Sequence, residues 1–215
     1  MARSNTKVVF FEGKSFNVFE DVYEPSEDTL LLAENLVLGC DEIVLDVGTG
    51  CGILAVISAL KARRVLAIDV NPNAVRCTIL NAEAYRVSEK MDVVRGDLFE
   101  PFKEGGVFDL ILFNAPYVPT EEEEEKEWAD RAWSGGKTGR KLIDPFVTHT
   151  SQYLKEGGRI LLVQSTLSDV EQTLMELKKQ GFAARILAEK KDFFETITLI
   201  EAQKVASIEL QQKTF

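Results

Sequence analysis

Five apolar runs recur along the chain: EIVLDV (42–47), RVLAIDV (64–70), MDVVRG (91–96), VFDLILFN (107–114) and GRILLVQ (158–164). Helical spacing or polar stretches separate them. Strands that are apolar on both faces and alternate with helices belong to a parallel sheet covered on both sides, because each crossover lays a helix over the sheet. Two last strands, RILAEKK and FFETITLIEA, meet at Asp192 and read as a hairpin. The expected fold is α/β, a doubly wound and mostly parallel sheet with an antiparallel C-terminal hairpin strand. Ligands in such sheets bind beyond the carboxyl ends of the strands, at the topological switch point.

The remaining elements follow from local signals. Lys7–Phe11 and Ser15–Phe19 read as short strands turned at Glu12-Gly13-Lys14. A helix is expected from Glu27 to about Leu38, with Ser26 as N-cap and Glu27 and Asp28 at the positive end of its dipole. The glycines after EIVLDV open a helix to about Ala62. Asn71 caps the next, with Pro72 at its first position. A helix is expected near Arg140–Leu154, where Pro145 either kinks it or begins it. Ser168 and Glu171 read as a capping box for a helix ending before Gly181. The 215 residues suit one domain: a short hairpin and helix (1–40), a core (41–202) and a loose tail (203–215).

The formal net charge is -10, which argues against a broad phosphate-binding face and so against direct nucleic-acid binding. Cys40, Cys51 and Cys77 have no CxxC spacing and read as free thiols of a reducing compartment. No apolar run reaches the ~18 residues of a membrane span, and MARSNTKVVFF lacks a signal-peptide core. The expectation is a cytoplasmic protein with no membrane or metal site.

Four strand ends carry the chemistry. Asp46-Val47-Gly48-Thr49-Gly50-Cys51-Gly52 lets backbone approach a ligand. Its GxGxG spacing, with Ile53 where the dinucleotide fingerprint has glycine, suits a nucleoside with a short charged tail better than a pyrophosphate. Asp69, about twenty residues after the first glycine, can accept from both ribose hydroxyls. Asp97 can accept from an adenine amino group, with Leu98 against the ring.

The fourth end, FNAPYVPT (113–120), terminates a buried strand in an amide, a proline and an aromatic ring. Asn114 offers a side-chain oxygen. Ala115 offers a carbonyl, held extended by Pro116. Two acceptors at fixed spacing can hold both N–H bonds of one planar –NH₂ group while Tyr117 stacks on its face. Such a nitrogen is a poor nucleophile. Gripping both hydrogens aims it and offsets the positive charge that grows as it attacks.

Together these residues resemble class I S-adenosylmethionine-dependent methyltransferases. [DNS]PP[YF] marks those that methylate a planar nitrogen. VYEPSEDT (22–29) is similar to the VYEPxEDT of the HemK/PrmC branch, in its short eukaryotic and archaeal form. The resemblance spans roughly residues 16 to 200. It implies S-adenosylmethionine contacts at Thr29, Asp46, Gly48, Gly50, Asp69, Asp97, Leu98 and Asn114. It implies substrate grip at Asn114, Pro116 and Tyr117, to which the local reading adds the Ala115 carbonyl. The implied reaction is methylation of the glutamine of the GGQ motif in a peptide-chain release factor, and the implied partner is a small zinc-binding activator protein forming a heterodimer. The departure is Ala115, where the family usually has proline.

Other features carry less. Gly136-Lys137-Thr138 fails as a P-loop because Arg131 stands where its first glycine belongs. His149 lies on an expected helix away from the strand ends. Glu121–Glu125 reads as a solvated acidic face bordering the substrate entrance, and Trp128 and Trp133 as lid residues or loop anchors. Three rival readings remain. A methyltransferase of adenine or guanine amino groups needs a basic surface, a non-catalytic S-adenosylmethionine-binding module makes the Asn114 loop dispensable, and a nicotinamide-dependent dehydrogenase is disfavoured by the glycine spacing.

Overall fold

The computed structural model describes residues 6–121 and 128–205. Seven strands form one sheet in the order β5-β4-β3-β6-β7-β9-β8, and β1 (Thr6–Phe11) pairs with β2 (Lys14–Phe19) in a separate hairpin. In the large sheet, β3 (Ile43–Val47), β4 (Arg64–Asp69), β5 (Met91–Arg95), β6 (Phe108–Asn114) and β7 (Leu154–Ser165) run parallel. Antiparallel β9 (Thr196–Lys204) lies between β7 and β8 (Phe182–Lys191). Of the expected tail, Gln203 and Lys204 complete β9 and Val205 N–H bonds to the Gly181 carbonyl at 3.1 Å; residues 206–215 lie outside the described residues.

β3 and β6 are neighbours, with Val47 opposite Phe113, yet successive strands leave them in opposite directions. Right-handed crossovers then place α2 (Ile53–Ala59) and α3 (Pro72–Ala84) on one face and α5 (Ile143–His149) on the other. A crevice opens between the ends of β3 and β6, the switch point of the sheet. Burial on both faces explains the unbroken apolar runs: Leu110, Ile111, Leu112 and Phe113 of β6 are all buried.

Several boundaries differ from expectation for local reasons. Ser26 occupies the N-cap position of α1 (Glu27–Glu34) without accepting a side-chain cap bond. The helix stops at Glu34 because Asn35 turns inward: its Nδ2 donates to the Leu31 carbonyl at 2.8 Å, and its N–H bonds to Leu32 at 3.2 Å. α2 closes at Ala59, the chain tightening where Lys61 N–H bonds to the Ser58 carbonyl.

The helix expected over Arg140–Leu154 is only α5. Pro145 sits in its first turn, where a missing N–H is tolerated, and a 3₁₀ turn at 150–152 follows. Leu154 already belongs to β7, opposite Phe108. The cap of α6 (Val170–Lys179) is Asp169, which accepts from Gln172 N–H at 3.0 Å; the Ser168 hydroxyl instead donates to the Ser165 carbonyl at 2.9 Å. A short helix, α4 (Trp128–Arg131), interrupts the polar segment after β6.

Two packing features fix what surrounds the crevice. Phe99, Phe113, Phe146 and Tyr153 form a ring cluster, Phe99 stacked on Tyr153 at 4.5 Å and Phe113 against Phe146 at 4.6 Å, which buttresses the ends of β5 and β6. On the other side, Asn71 Nδ2 donates to the Asp21 carbonyl at 2.7 Å and Asn73 Nδ2 to Asp21 Oδ2 at 3.0 Å. These bonds hold the segment before α1 over the start of α3. Phe146 is fully buried and central to the cluster, so Phe146→Ala is expected to lower stability by about 3–5 kcal/mol in denaturant titration.

Candidate active site

One cavity lies over the carboxyl ends of β3, β4, β5 and β6. Thr29, Gly48, Gly50, Asp69, Asp97, Leu98, Asn114, Ala115, Pro116 and Tyr117 are all in its wall, so the structure gathers these sequence-selected residues in one place. Asp46 is not in that wall. It is buried beneath the glycine loop, where its Oδ2 accepts from the Thr49 hydroxyl at 2.7 Å. His149 is exposed on α5, and the described residues contain no cluster of metal-ligating side chains.

The loop after β3 is shaped by its glycines: Gly48, Gly50 and Gly52 have φ of 64°, 57° and 82°, a region that a side chain penalises. Thr49 N–H ties the loop to the Ile68 carbonyl of β4 at 3.0 Å. Gly50 N–H donates to Asp69 Oδ2 at 2.9 Å, and Asn71 N–H to Asp69 Oδ1 at 2.9 Å. Asp69 stands in the cavity wall, and a carboxylate can accept more bonds than these, which is what a diol needs. Burial pushes the Asp69 carboxyl up, against the pull of those backbone N–H groups. Leu98 adopts φ of 43°, a strained conformation for a branched side chain and of the sort that persists where the surroundings impose it.

Burial raises the Asp46 carboxyl to about 7, opposed by its Thr49 bond and helped by the charge of Asp69. The folded state therefore favours the protonated acid more than the unfolded chain does, whose carboxyl titrates near 4. That contribution is complete below pH ~4 and is lost as pH rises through about 7, on the order of a few kcal/mol. Asp46→Asn, which keeps an acceptor for Thr49, is expected to flatten this decline. Melting curves of wild type and variant should diverge between pH 4 and 8; parallel curves would refute the assignment.

At the end of β6 the Asn114 Nδ2 donates to the Thr29 hydroxyl at 3.0 Å, while Asn114 Oδ1 is buried and has no partner among the described residues. A buried carbonyl oxygen left unmatched is costly unless something else binds there. Next to it, Ala115 N–H donates to the Val163 carbonyl at 3.3 Å, and Ala115 is itself buried. The Tyr117 hydroxyl donates to Asp28 Oδ2 at 3.4 Å, so its ring is tethered at the far edge. Burial, with the Asp28 charge second, holds the Tyr117 phenol well above its ordinary range.

A brace beneath this loop escaped sequence reasoning. Val118 N–H bonds to the Trp133 carbonyl at 3.1 Å, Gly135 N–H to the Val118 carbonyl at 2.8 Å and Thr120 N–H to the Gly136 carbonyl at 2.9 Å. Gly139 presses so closely that an added Cβ would lie 2.3 Å from the Tyr117 carbonyl oxygen. Arg140, buried, anchors the brace by donating from Nη1 to the Ser168 and Asp169 carbonyls at 2.6 and 2.8 Å. The density of glycine in SGGKTGR was the available signal. Trp128 and Trp133 line the cavity, and Arg131 lies over the Trp128 ring at 5.1 Å. Of Glu121–Glu125, all but Glu121 lie outside the described residues.

The three cysteines are free, Cys40 exposed and the others buried; burial raises the Cys51 thiol to about 12 and the Cys77 thiol to about 11, which leaves both unreactive. No helix of the described residues is long and apolar enough to cross a membrane.

The wall of this cavity suits an aminoacyl nucleoside: a carboxylate at Asp69, an exposed carboxylate at Asp97, the apolar surfaces of Ile68 and Leu98, and open backbone at Gly48 and Gly50. A family model described as ribosomal protein L11 methyltransferase (PrmA) matches residues 28–115. Among solved structures, M. jannaschii TYW2 in complex with AdoMet shares the fold, with a TM-score of 0.65 over 94% of this chain and 87% of that one, at 14% identity. The chain is a class I methyltransferase, and S-adenosylmethionine is its cofactor.

A Methanocaldococcus jannaschii protein, provisionally named protein N5-glutamine methyltransferase, is 37% identical over 92% of this chain and 100% of its own length. The release factor glutamine methyltransferase of Aquifex aeolicus is 32% identical over 70% of this chain and 57% of its own. The structure of the E. cuniculi Mtq2-Trm112 complex, described as responsible for methylating the eRF1 translation termination factor, aligns with a TM-score of 0.63. It is 29% identical over 86% of this chain and 99% of that one. The chain belongs to the HemK/PrmC family of protein N5-glutamine methyltransferases.

Proposed function

We propose that this chain methylates the side-chain nitrogen of the GGQ glutamine of a peptide-chain release factor. The observation that carries the reading is the Asn114 Oδ1 atom, a buried acceptor with no partner among the described residues, beside the substrate loop. A glutamine amide brings the two N–H donors such a site lacks. One would meet Asn114 Oδ1 and the other the Ala115 carbonyl, with Tyr117 against the amide plane. S-adenosylmethionine, when bound, supplies an electrophilic methyl group. This chain's residues aim the nitrogen, exclude water and offset the positive charge that develops on it; the extra proton leaves after transfer. No strong base is required beforehand, because electrostatic complementarity and positioning supply the main effect.

The release-factor assignment draws on the relatives' names, on the end-to-end match to the M. jannaschii protein and to Mtq2, and on the acidic character of this chain. By the same analogy this chain pairs with an activator protein, as Mtq2 does with Trm112; that the activator is small and binds zinc is what the family resemblance implies. In this reading the 215 residues form one methyltransferase domain that works in the cytoplasm, where release factors act.

The test is labelled S-adenosylmethionine with a release factor, with and without the activator. Label should enter the release factor, vanish when its GGQ glutamine becomes alanine, and increase with the activator. Label on naked RNA or DNA with none on the release factor would overturn the reading. For the ribose position, Asp69→Ala is expected to weaken cofactor binding roughly ten- to a hundredfold in calorimetry, the loss of about 1.5–3 kcal/mol of hydrogen bonding to a carboxylate.

A further inference from the structure

Asp28 is 4% exposed and stands in the cavity wall, and its carboxylate gathers four donors. Oδ1 accepts from Thr29 N–H at 2.5 Å and from the Thr29 hydroxyl at 3.2 Å. Oδ2 accepts from the Tyr23 hydroxyl at 2.9 Å and from the Tyr117 hydroxyl at 3.4 Å. Burial, followed by the Asp28 charge, holds both phenols well above their ordinary range, so both remain protonated donors.

The consequence lies in the direction of the bonds. A threonine hydroxyl has one hydrogen. Once Thr29 gives it to Asp28, its oxygen can only accept from the other side. Asn114 must therefore present Nδ2 to Thr29, as it does at 3.0 Å. A primary amide carries its oxygen and its NH₂ at opposite corners, so this choice also settles which corner turns away from Thr29. It is Oδ1, the buried acceptor that has no partner among the described residues. A flipped Asn114 would press Oδ1 against a hydroxyl oxygen with no hydrogen to give, and would offer donors to an incoming amide nitrogen that itself carries donors. The same carboxylate tethers the Tyr117 ring.

We propose that Asp28 is a positioning residue for methyl transfer: its carboxylate sets the polarity of the chain Asp28–Thr29–Asn114, so that the acceptor end of Asn114 faces the reactive nitrogen, and holds Tyr117 beside it. This rests on the methyl-transfer reading of the same site. A carboxylate that merely favours the first turn of α1 would need neither Thr29 nor Asn114 in register.

Two variants break the chain at different links. Asp28→Ala removes the acceptor; Thr29→Val removes the hydroxyl at equal volume and leaves Asp28 with its tyrosines, which keeps the test valid should Asp28→Ala fold poorly. At saturating cofactor each is expected to lower kcat roughly ten- to a hundredfold. The conservative partners, Asp28→Asn and Thr29→Ser, should recover much of it, since each preserves the group that meets its neighbour. The double variant Asp28→Ala/Thr29→Val should be no slower than the worse single one, and neither change should slow Asn114→Ala further, because all act through one amide. Multiplying effects, or wild-type kcat in Thr29→Val, would overturn the proposal.

A second readout needs no substrate. The side-chain amide ¹⁵N–¹H signals of Asn114, assigned by their loss in Asn114→Ala, should shift in both Asp28→Ala and Thr29→Val. Unchanged signals would sink the relay even in an active enzyme. Shifted signals in a protein that methylates no release factor would keep the relay and discard the proposed substrate.

Discussion

Asn114→Ala is expected to slow methyl transfer about 10²–10³-fold while leaving cofactor affinity within a few-fold, the scale seen when one preorganised group facing a developing charge is removed. The variant deletes the buried Oδ1 and leaves the Thr29 oxygen without its Nδ2 donor. Single-turnover rates at saturating cofactor, alongside calorimetry, separate grip from binding. A fully active Asn114→Ala would mean that FNAPYVPT is only a turn. Its neighbour behaves differently. From the sequence, Ala115→Pro should keep or raise turnover, because Pro116 already holds residue 115 extended. The structure adds an opposing term: Ala115 N–H bonds to the Val163 carbonyl, and proline has no N–H to give. The expected result is turnover within a few-fold of wild type, with a stability loss of about 1 kcal/mol.

Gly139→Ala is the other large effect. Gly139 has φ of 71°, and a Cβ there meets the Tyr117 carbonyl oxygen at 2.3 Å and the Ser168 Cβ at 2.9 Å. Neither neighbour is the free end of a flexible side chain. Left-handed backbone alone penalises alanine by about 1–2 kcal/mol, and relief of the contact requires the Tyr117 carbonyl to move. A displacement near 1 Å at a positioning loop can lower rate ~10²-fold. The expected outcome is that loss in kcat with cofactor binding retained, together with a lowered melting temperature. Wild-type turnover would show that the brace under the substrate loop is passive.

These two variants sit at opposite ends of what could be read without coordinates. Asn114 was legible because its chemistry is local. An amide, a proline and an aromatic ring at the end of a buried strand say what they offer whatever surrounds them. The same holds for Gly48, Asp69 and Asp97, each at a strand end that the apolar runs marked. Elements whose ends are set by one particular side-chain or strand pairing were read less well. The end of α1 at Asn35 depends on that side chain turning back to Leu31, and the loss of a helical turn before Leu154 depends on its pairing with Phe108. Asp169 took the cap of α6 because Ser168 is committed to Ser165.

The sequence by itself determined the strand–helix alternation, the switch-point location of the site and the identity of the groups that face it, because periodicity and strand-end chemistry are encoded within a few residues of one another. Only the tertiary structure decided what those groups do to each other. It moved Asp46 behind the glycine loop and brought the Gly135–Gly139 segment beneath Tyr117. It also joined Asp28 to Asn114 across 86 residues of chain through the hydroxyl of Thr29. The direction of a hydrogen bond belongs to the pair that makes it, and no spacing in the sequence records which partner arrives.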